Sequence, residues 1–245
     1  MDGTWMAAGD ELRLDADEVH VWRASLDRDA GEVERLRAVL APDEQARAER
    51  FLFPDVRSRF VVARALLRMI LARYAKAEPG ELRFDYGPHG KPSLAAPWAR
   101  EQVRFNMSDS HGMGLYAVAR GRELGADIER VRDNISYERL ALRCFSEAEF
   151  RSFRAAPPEL RREAFFNGWT RKEAYIKAIG LGLSFPLKSF TVRLTPNEPA
   201  ALLWVKDGAD EPERWTMRAL HPADGWAAAV AVEGSGWSLR QLEWR

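Results

Sequence analysis

The sequence is poor in the features that mark several large functional classes. A single cysteine, Cys144, stands in 245 residues, which excludes an internal disulfide framework and any multi-cysteine zinc site. Such a lone thiol reads as a small buried group in a reducing compartment. Charge of one sign is not in excess, with 37 Lys plus Arg against 37 Asp plus Glu. No global field therefore draws the chain to nucleic acid or an anionic membrane, and any polyanion site has to be local. Long apolar runs are missing too: the stretch from Val61 to Ala75 is broken by Arg64, Arg68 and Arg73, too many charges for a membrane span. Met1 to Met6 carries neither a basic nor an apolar leader region, so no secretory signal is expected and the expected location is the cytoplasm. Walker A, Gly-x-Gly-x-x-Gly and Gly-x-Ser-x-Gly signatures are absent, as are repeats and low-complexity tracts, which removes support for the common nucleotide folds and for an α/β-hydrolase.

What is present is a hydrophobic content of 46%, enough for a substantial core. Alternation predicts strands at 19–24, 82–86, 103–107, 114–119 and 124–131, with Arg120-Gly121-Arg122 as a hairpin turn between the last two. Pro42 opens a helix to about Phe53. A second helix follows, with Val56, Phe60, Ala63, Leu67, Ile70 and Tyr74 on one stripe and Arg57, Arg64 and Arg68 on another face. A helical middle over 137–179, interrupted at Pro157-Pro158, precedes strands at 189–194, 201–205, 215–220, 226–232 and 237–244. The order of strand, helices and strands occurs about twice, which predicts an α+β protein of two subdomains, 1–120 and 121–245.

Three segments can carry chemistry. In Gly125-Ala-Asp127-Ile-Glu129, a strand would set Asp127 and Glu129 on one face and Ile128 on the other. This is either a solvated face balanced by Arg130 or Arg132, or a carboxylate pair whose repulsion a divalent cation relieves; an oxygen-only donor set suits magnesium. In Trp169-Thr-Arg-Lys172-Glu173-Ala-Tyr-Ile-Lys177, Glu173 and Lys177 are one helical turn apart. They are either a surface ion pair or a third carboxylate with a lysine for phosphate. Asn106-Met-Ser108-Asp109-Ser110-His111-Gly112 reads as a strand ending in a polar turn, or as a phosphate-binding turn. A hydrolase triad among Ser108, Asp109 and His111 is rejected because residues so close in sequence rarely reach its geometry.

Taken in order, Gly125-x-Asp127-x-Glu129 and Trp169-x-x-Lys172-Glu173-x-x-x-Lys177 resemble the surfactin-type 4'-phosphopantetheinyl transferases. Arg59 to Arg68, Gly90-Lys91-Pro92, Phe105-Asn106-Met107-Ser108 and Gly180-Leu-Gly182-Leu-Ser-Phe-Pro186-Leu extend the resemblance over most of the chain. It implies a monomer of two similar α+β subdomains related by a pseudo-twofold, with coenzyme A bound between them. The implied activity is transfer of phosphopantetheine from coenzyme A to a serine of an apo acyl or peptidyl carrier protein. By the same resemblance Asp127, Glu129 and Glu173 match the Mg2+ ligands, and Lys177 matches a phosphate contact. Arg47, Arg64, Lys91, Pro92, Ser108 and Asp109 match positions lining the coenzyme A site. Glu173, Lys177 and Glu129 are the expected catalytic groups. Two departures stand out: Asp109 replaces a histidine usual in the family, and Glu44 occupies a position often basic. The competing expectations are a degenerate, non-catalytic coenzyme A or carrier-binding module and a different magnesium enzyme acting on a phosphoanhydride.

Overall fold

The computed structural model describes residues 4–9 and 12–245, so Met1 to Gly3 of the expected leaderless N-terminus lie outside the described residues. In chain order the elements are β1 (Met6–Ala7), β2 (Glu18–Ser25), α1 (Ala30–Arg37), α2 (Pro42–Ala48), α3 (Pro54–Ala75), β3 (Phe84–Tyr86), β4 (Pro92–Leu94), β5 (Val103–Ser110), β6 (Met113–Arg120) and β7 (Leu124–Arg130). They continue with α4 (Tyr137–Cys144), α5 (Glu147–Ala155), α6 (Arg161–Ile179), β8 (Phe190–Val192), β9 (Leu202–Val205), α7 (Glu211–Arg214), β10 (Trp215–Leu220), β11 (Trp226–Glu233) and β12 (Ser238–Glu243). The fold is α+β, as expected, and no helix among the described residues is long and apolar enough to cross a membrane.

One sheet has the order β1-β12-β2-β6-β5 and a second the order β10-β11-β7. Alternation explains how they stack. Val19 and Val21 of β2 and Leu115, Ala117 and Ala119 of β6 pack on Leu124, Ala126 and Ile128 of β7. The other face, with Trp22, Ala24, Tyr116 and Val118, is covered by Leu66, Leu67 and Ile70 of α3. On the far side of the second sheet, Ala229, Ala231 and Met217 meet Ala174, Tyr175 and Ala178 of α6. The layers therefore run helix, sheet, sheet, helix, with the central strands β2, β6, β7 and β11 burying both faces.

This stacking corrects the expected hairpin at Arg120-Gly121-Arg122. Gly121 does turn the chain, at φ 66°, but β6 pairs with β2 and β5 whereas β7 pairs with β11. The apolar side of β7 is satisfied by lying on the first sheet rather than beside β6. The hairpin instead joins β5 to β6, where His111 and Gly112 both have positive φ, the geometry of a two-residue turn that follows strand twist. The polar run from Asn106 to Ser110 is thus strand. The last strand, β12, returns to the first sheet beside β2, so the chain crosses the expected division at residue 120 a second time.

Helix α3 begins with Pro54 and ends at Lys76, which adopts left-handed geometry at φ 50°. Of its expected apolar stripe, Ala63, Leu67, Ile70 and Tyr74 are buried while Val56 is exposed. Tyr74 Oη accepts from Trp22 Nε1 at 2.8 Å and lies 2.9 Å from His20 Nδ1, tying α3 to β2. Burial holds the His20 pKa below its ordinary 6.5, the Glu18 contact opposes this and Arg240 adds to it. A depressed histidine pKa means the unfolded chain binds the extra proton, so this contribution to stability is present above pH 6.5 and is lost as pH falls through that value. Urea unfolding from about pH 7.5 to about pH 5.5 should show the wild type losing up to about 1.4 kcal/mol per pH unit relative to His20→Gln; parallel pH profiles would contradict it.

Candidate active site

The site forms where β5, β7 and α6 meet, and a glycine sets the approach. A Cβ added to Gly125 would overlap the Ala174 carbonyl oxygen and the Ala178 nitrogen and lie 2.8 Å from the Lys177 carbonyl carbon. Helix backbone rests directly on strand backbone. By strand alternation Asp127 and Glu129 share the face of Gly125, and by helical spacing Trp169, Glu173 and Lys177 share the facing side of α6. Ile128 points into the apolar layer.

From the other side, β5 contributes Asn106, Ser108 and Ser110 at period two. Asn106 Oδ1 accepts from Ala126 N at 3.0 Å, Ser108 Oγ donates to Asp127 Oδ1 at 2.8 Å, and Ser110 Oγ donates to Glu129 Oε2 at 3.0 Å. Lys177 Nζ donates to Asp127 Oδ1 at 2.6 Å and to Ser108 Oγ at 2.9 Å. These contacts join Ser108, Asp127 and Lys177 directly and hold Glu129 through Ser110, while Glu173 lies near enough to feel Asp127, Lys177 and Glu129 electrostatically.

The electrostatics are those of carboxylates short of counter-charge. Asp127 is buried, and its pKa is raised by desolvation against the pull of Lys177 and Ser108. Glu129 is raised by desolvation and then by Asp127, with Ser110, Arg132 and a hydrogen bond from the Trp169 indole opposing. Glu173 is raised by desolvation, Asp127 and Glu129, with Lys177 opposing. Asp127 Oδ2 and Glu173 Oε1 are buried without a hydrogen-bond partner. Buried anionic oxygens left unpaired are costly, and a cation satisfies them. Among the described residues no three His, Cys, Asp or Glu side chains converge as a metal cage; in this arrangement the Lys177 ammonium holds Asp127 Oδ1.

The other expected ligands are placed differently. Arg64 and Arg68 are both bound to the buried Glu44, with Arg64 Nε 2.8 Å from Oε1 and Arg68 Nε 2.5 Å from Oε2. Phe84 lies under both guanidinium groups. Glu44 also accepts from Ala41 N at 3.0 Å, so it caps α2 and bridges two arginines, leaving one positive charge in excess there. Lys91 Nζ donates at 2.7 Å to Glu123 and at 2.7 Å to the Ala178 carbonyl near the end of α6. Pro92 pairs with Tyr86 in a small ribbon, and Arg47 is exposed over the Phe60 ring. Asp109 is solvent-exposed; its crowded setting raises its pKa, Lys177 and Arg59 pull it down, and Asp127 pushes it up.

Several neighbours escaped sequence reasoning. Ser110 was legible from the period-two pattern, and Trp169 from its spacing of four to Glu173. Arg59, Arg130 and Arg132 all act on His111, whose pKa is lowered by desolvation and then by these cations. No local pattern marks that rim. Lys172, next to Glu173, is fully buried, with Nζ 2.7 and 2.8 Å from the Glu149 carboxylate oxygens and 2.8 Å from the Phe190 carbonyl. Glu149 also accepts from Ser146 N and Val192 N, each at 2.7 Å. This pair fixes α6 against α5 and β8.

Comparison with known proteins places this geometry. The family described as the 4'-phosphopantetheinyl transferase superfamily matches residues 123–231, and its N-terminal family matches residues 22–122. The 4'-phosphopantetheinyl transferase HetI of Nostoc sp. is 42% identical over 234 residues, covering 96% of this chain and 95% of its own. The chain belongs to the 4'-phosphopantetheinyl transferase superfamily. The transferase Sfp of Bacillus subtilis is 31% identical, with 66% of this chain and 70% of Sfp covered. Among solved structures, the holo-[acyl-carrier-protein] synthase of Thermotoga maritima matches 46% of this chain and 63% of its own at 26% identity and a TM-score of 0.37. The family resemblance is thus correct, and phosphopantetheinyl transfer is favoured over a degenerate binding module.

The Lys172–Glu149 pair gives a direct test of what supports the transferase site. Lys172→Met leaves a buried carboxylate short of its cation and should cost about 3–5 kcal/mol in denaturant unfolding. A loss below about 1 kcal/mol, the range of exposed pairs, would mean the pair does not hold α6.

Proposed function

We propose that this chain uses magnesium to move the 4'-phosphopantetheine arm of coenzyme A onto a serine of an apo acyl or peptidyl carrier protein, with adenosine 3',5'-bisphosphate leaving. The observation that carries the reading is that Asp127 Oδ2 and Glu173 Oε1 are buried without partners beside Lys177, which donates to Asp127 Oδ1. Asp127, Glu129 and Glu173 fit a hard cation that takes a few carboxylates and keeps sites for water and phosphate. They would hold it. When bound, such an ion neutralises charge on the phosphoryl oxygens and polarises the phosphorus for attack.

The chain's own groups supply the rest. The carrier serine oxygen forms the new bond to the β-phosphorus of coenzyme A while the bond to the bisphosphate oxygen breaks. Glu173, whose pKa is raised above the usual carboxylate range, takes the serine proton, directly or through water; a base poised nearer neutrality is better matched to that task. Lys177 Nζ, already between Asp127 and Ser108, turns a donor to a phosphoryl oxygen, while Ser108 Oγ, its one O–H given to Asp127, holds that carboxylate in place. Arg130 and Arg132 on the rim suit the remaining phosphates, Arg132 Nε being a buried donor without a partner among the described residues, whereas Arg59 is held by Asp27 at 2.7 Å. Arg64 and Lys91 act through the scaffold in this reading, because Glu44 and Glu123 hold their charges. We further read the chain as two subdomains, 1–120 and 121–245, in a cytoplasmic monomer; the separation of β2, β5 and β6 from β7, β10 and β11 supports the first point, with β12 crossing back to the first sheet.

Glu173→Gln removes a charge and a proton acceptor at nearly constant volume. With coenzyme A, magnesium and an apo carrier protein, mass spectrometry should show transfer reduced by at least about a hundredfold and an unfolding midpoint close to the wild type. A variant keeping most of the wild-type rate at saturating magnesium would remove Glu173 from both roles.

A further inference from the structure

The face of α6 turned away from the carboxylates borders a second cavity. Glu163, Asn167 and Arg171 recur every four residues along α6 and line a space of about 800 Å³ closed by β10, β12 and the segment 197–200. Arg171 and Glu173 are two residues apart, hence roughly 160° apart around the helix, so this space is separate from the transferase site. Its volume lies in the range of small-molecule sites.

Arg171 is the unusual group. It is 2% exposed, and among the described residues its guanidinium makes a single hydrogen bond, Nη1 to the Arg193 carbonyl at 2.6 Å. Among the described residues it has no ion pair of its own. Arg193 adds a second positive charge nearby and is itself paired with Glu198 at 3.2 Å. Desolvation and then Arg193 lower the Arg171 pKa to about 10, against the pull of Glu163 and Glu198. A buried guanidinium without a carboxylate in contact is expensive, and its unused N–H donors form the planar fork that binds an oxyanion bidentately. Arg218, stacked on the Trp237 ring, lines the same space with Met217, Leu220 and Leu239. Glu163 and Glu198 line it too, which disfavours a multiply charged anion.

We propose that this cavity binds a small monocarboxylate with an apolar body, its carboxylate on Arg171 and its body against Met217, Trp237 and Leu239. Benzoate and inorganic phosphate serve as probes, titrated calorimetrically into the full-length protein. Saturable millimolar binding of benzoate is expected, with phosphate at least tenfold weaker. Ala219→Trp, at an exposed position lining the cavity, should weaken benzoate at least tenfold without disturbing the buried charge. Arg171→Gln should do the same provided circular dichroism shows it folded; if it is not folded, Ala219→Trp alone decides. Absence of saturable benzoate binding, equal affinity in Ala219→Trp, or phosphate binding as tightly as benzoate would each overturn the proposal. Transfer activity is not part of this readout, so its outcome is independent of the proposed function.

Discussion

The site depends on one contact in which no side chain takes part. At Gly125 the backbone of α6 lies against the backbone of β7, and any Cβ there would occupy the space of the Ala174 carbonyl oxygen. Helix and strand periodicities then do the remaining work: what stands on the same faces is Asp127 and Glu129 on one side and Trp169, Glu173 and Lys177 on the other. Close packing resists even one added methyl group, because interiors have few voids to absorb it. The separation of the charged groups is therefore set by backbone geometry rather than by long flexible side chains.

That closeness has an electrostatic cost. Three carboxylates with raised pKa values surround one lysine, and the fold offsets their repulsion by anchoring them elsewhere. Buried structural charges are handled in the opposite way. Glu44 takes two arginines and a backbone N–H, while Glu149 takes Lys172 and two backbone N–H groups. Paired charges secure the scaffold, and the underpaired ones are where the proposed cation and phosphates would sit.

Much of this was legible in the sequence, for identifiable reasons. Elements with clear periodicity were the best read: β10 was found at its observed bounds, and α6 ends at Ile179, where the expected helical middle ends. The alternation that set Ile128 opposite Asp127 and Glu129 held because both faces of β7 have strong, different demands. The hairpin at Gly121 failed because a turn residue shows that the chain reverses without showing which strand it will pair with. The segment from Asn106 to Ser110 resembled a turn by composition, yet pairing with β6 and satisfaction of its polar side chains by β7 make it a strand. Arg64 and Lys91 match positions lining the coenzyme A site by family resemblance, and each is ion-paired here to a residue far along the chain, Glu44 and Glu123, 20 and 32 residues away. Nothing local in the sequence reveals such pairing.

If the Gly125 contact composes the site, Gly125→Ala should show it. An added methyl should cost about 1–3 kcal/mol, within a typical total stability of about 5–15 kcal/mol, so the variant should fold with α6 displaced from β7. Phosphopantetheine transfer to a carrier protein should then fall about a hundredfold, the penalty of misplacing reacting groups by about 1 Å. A folded Gly125→Ala protein that transfers at the wild-type rate would contradict the claim.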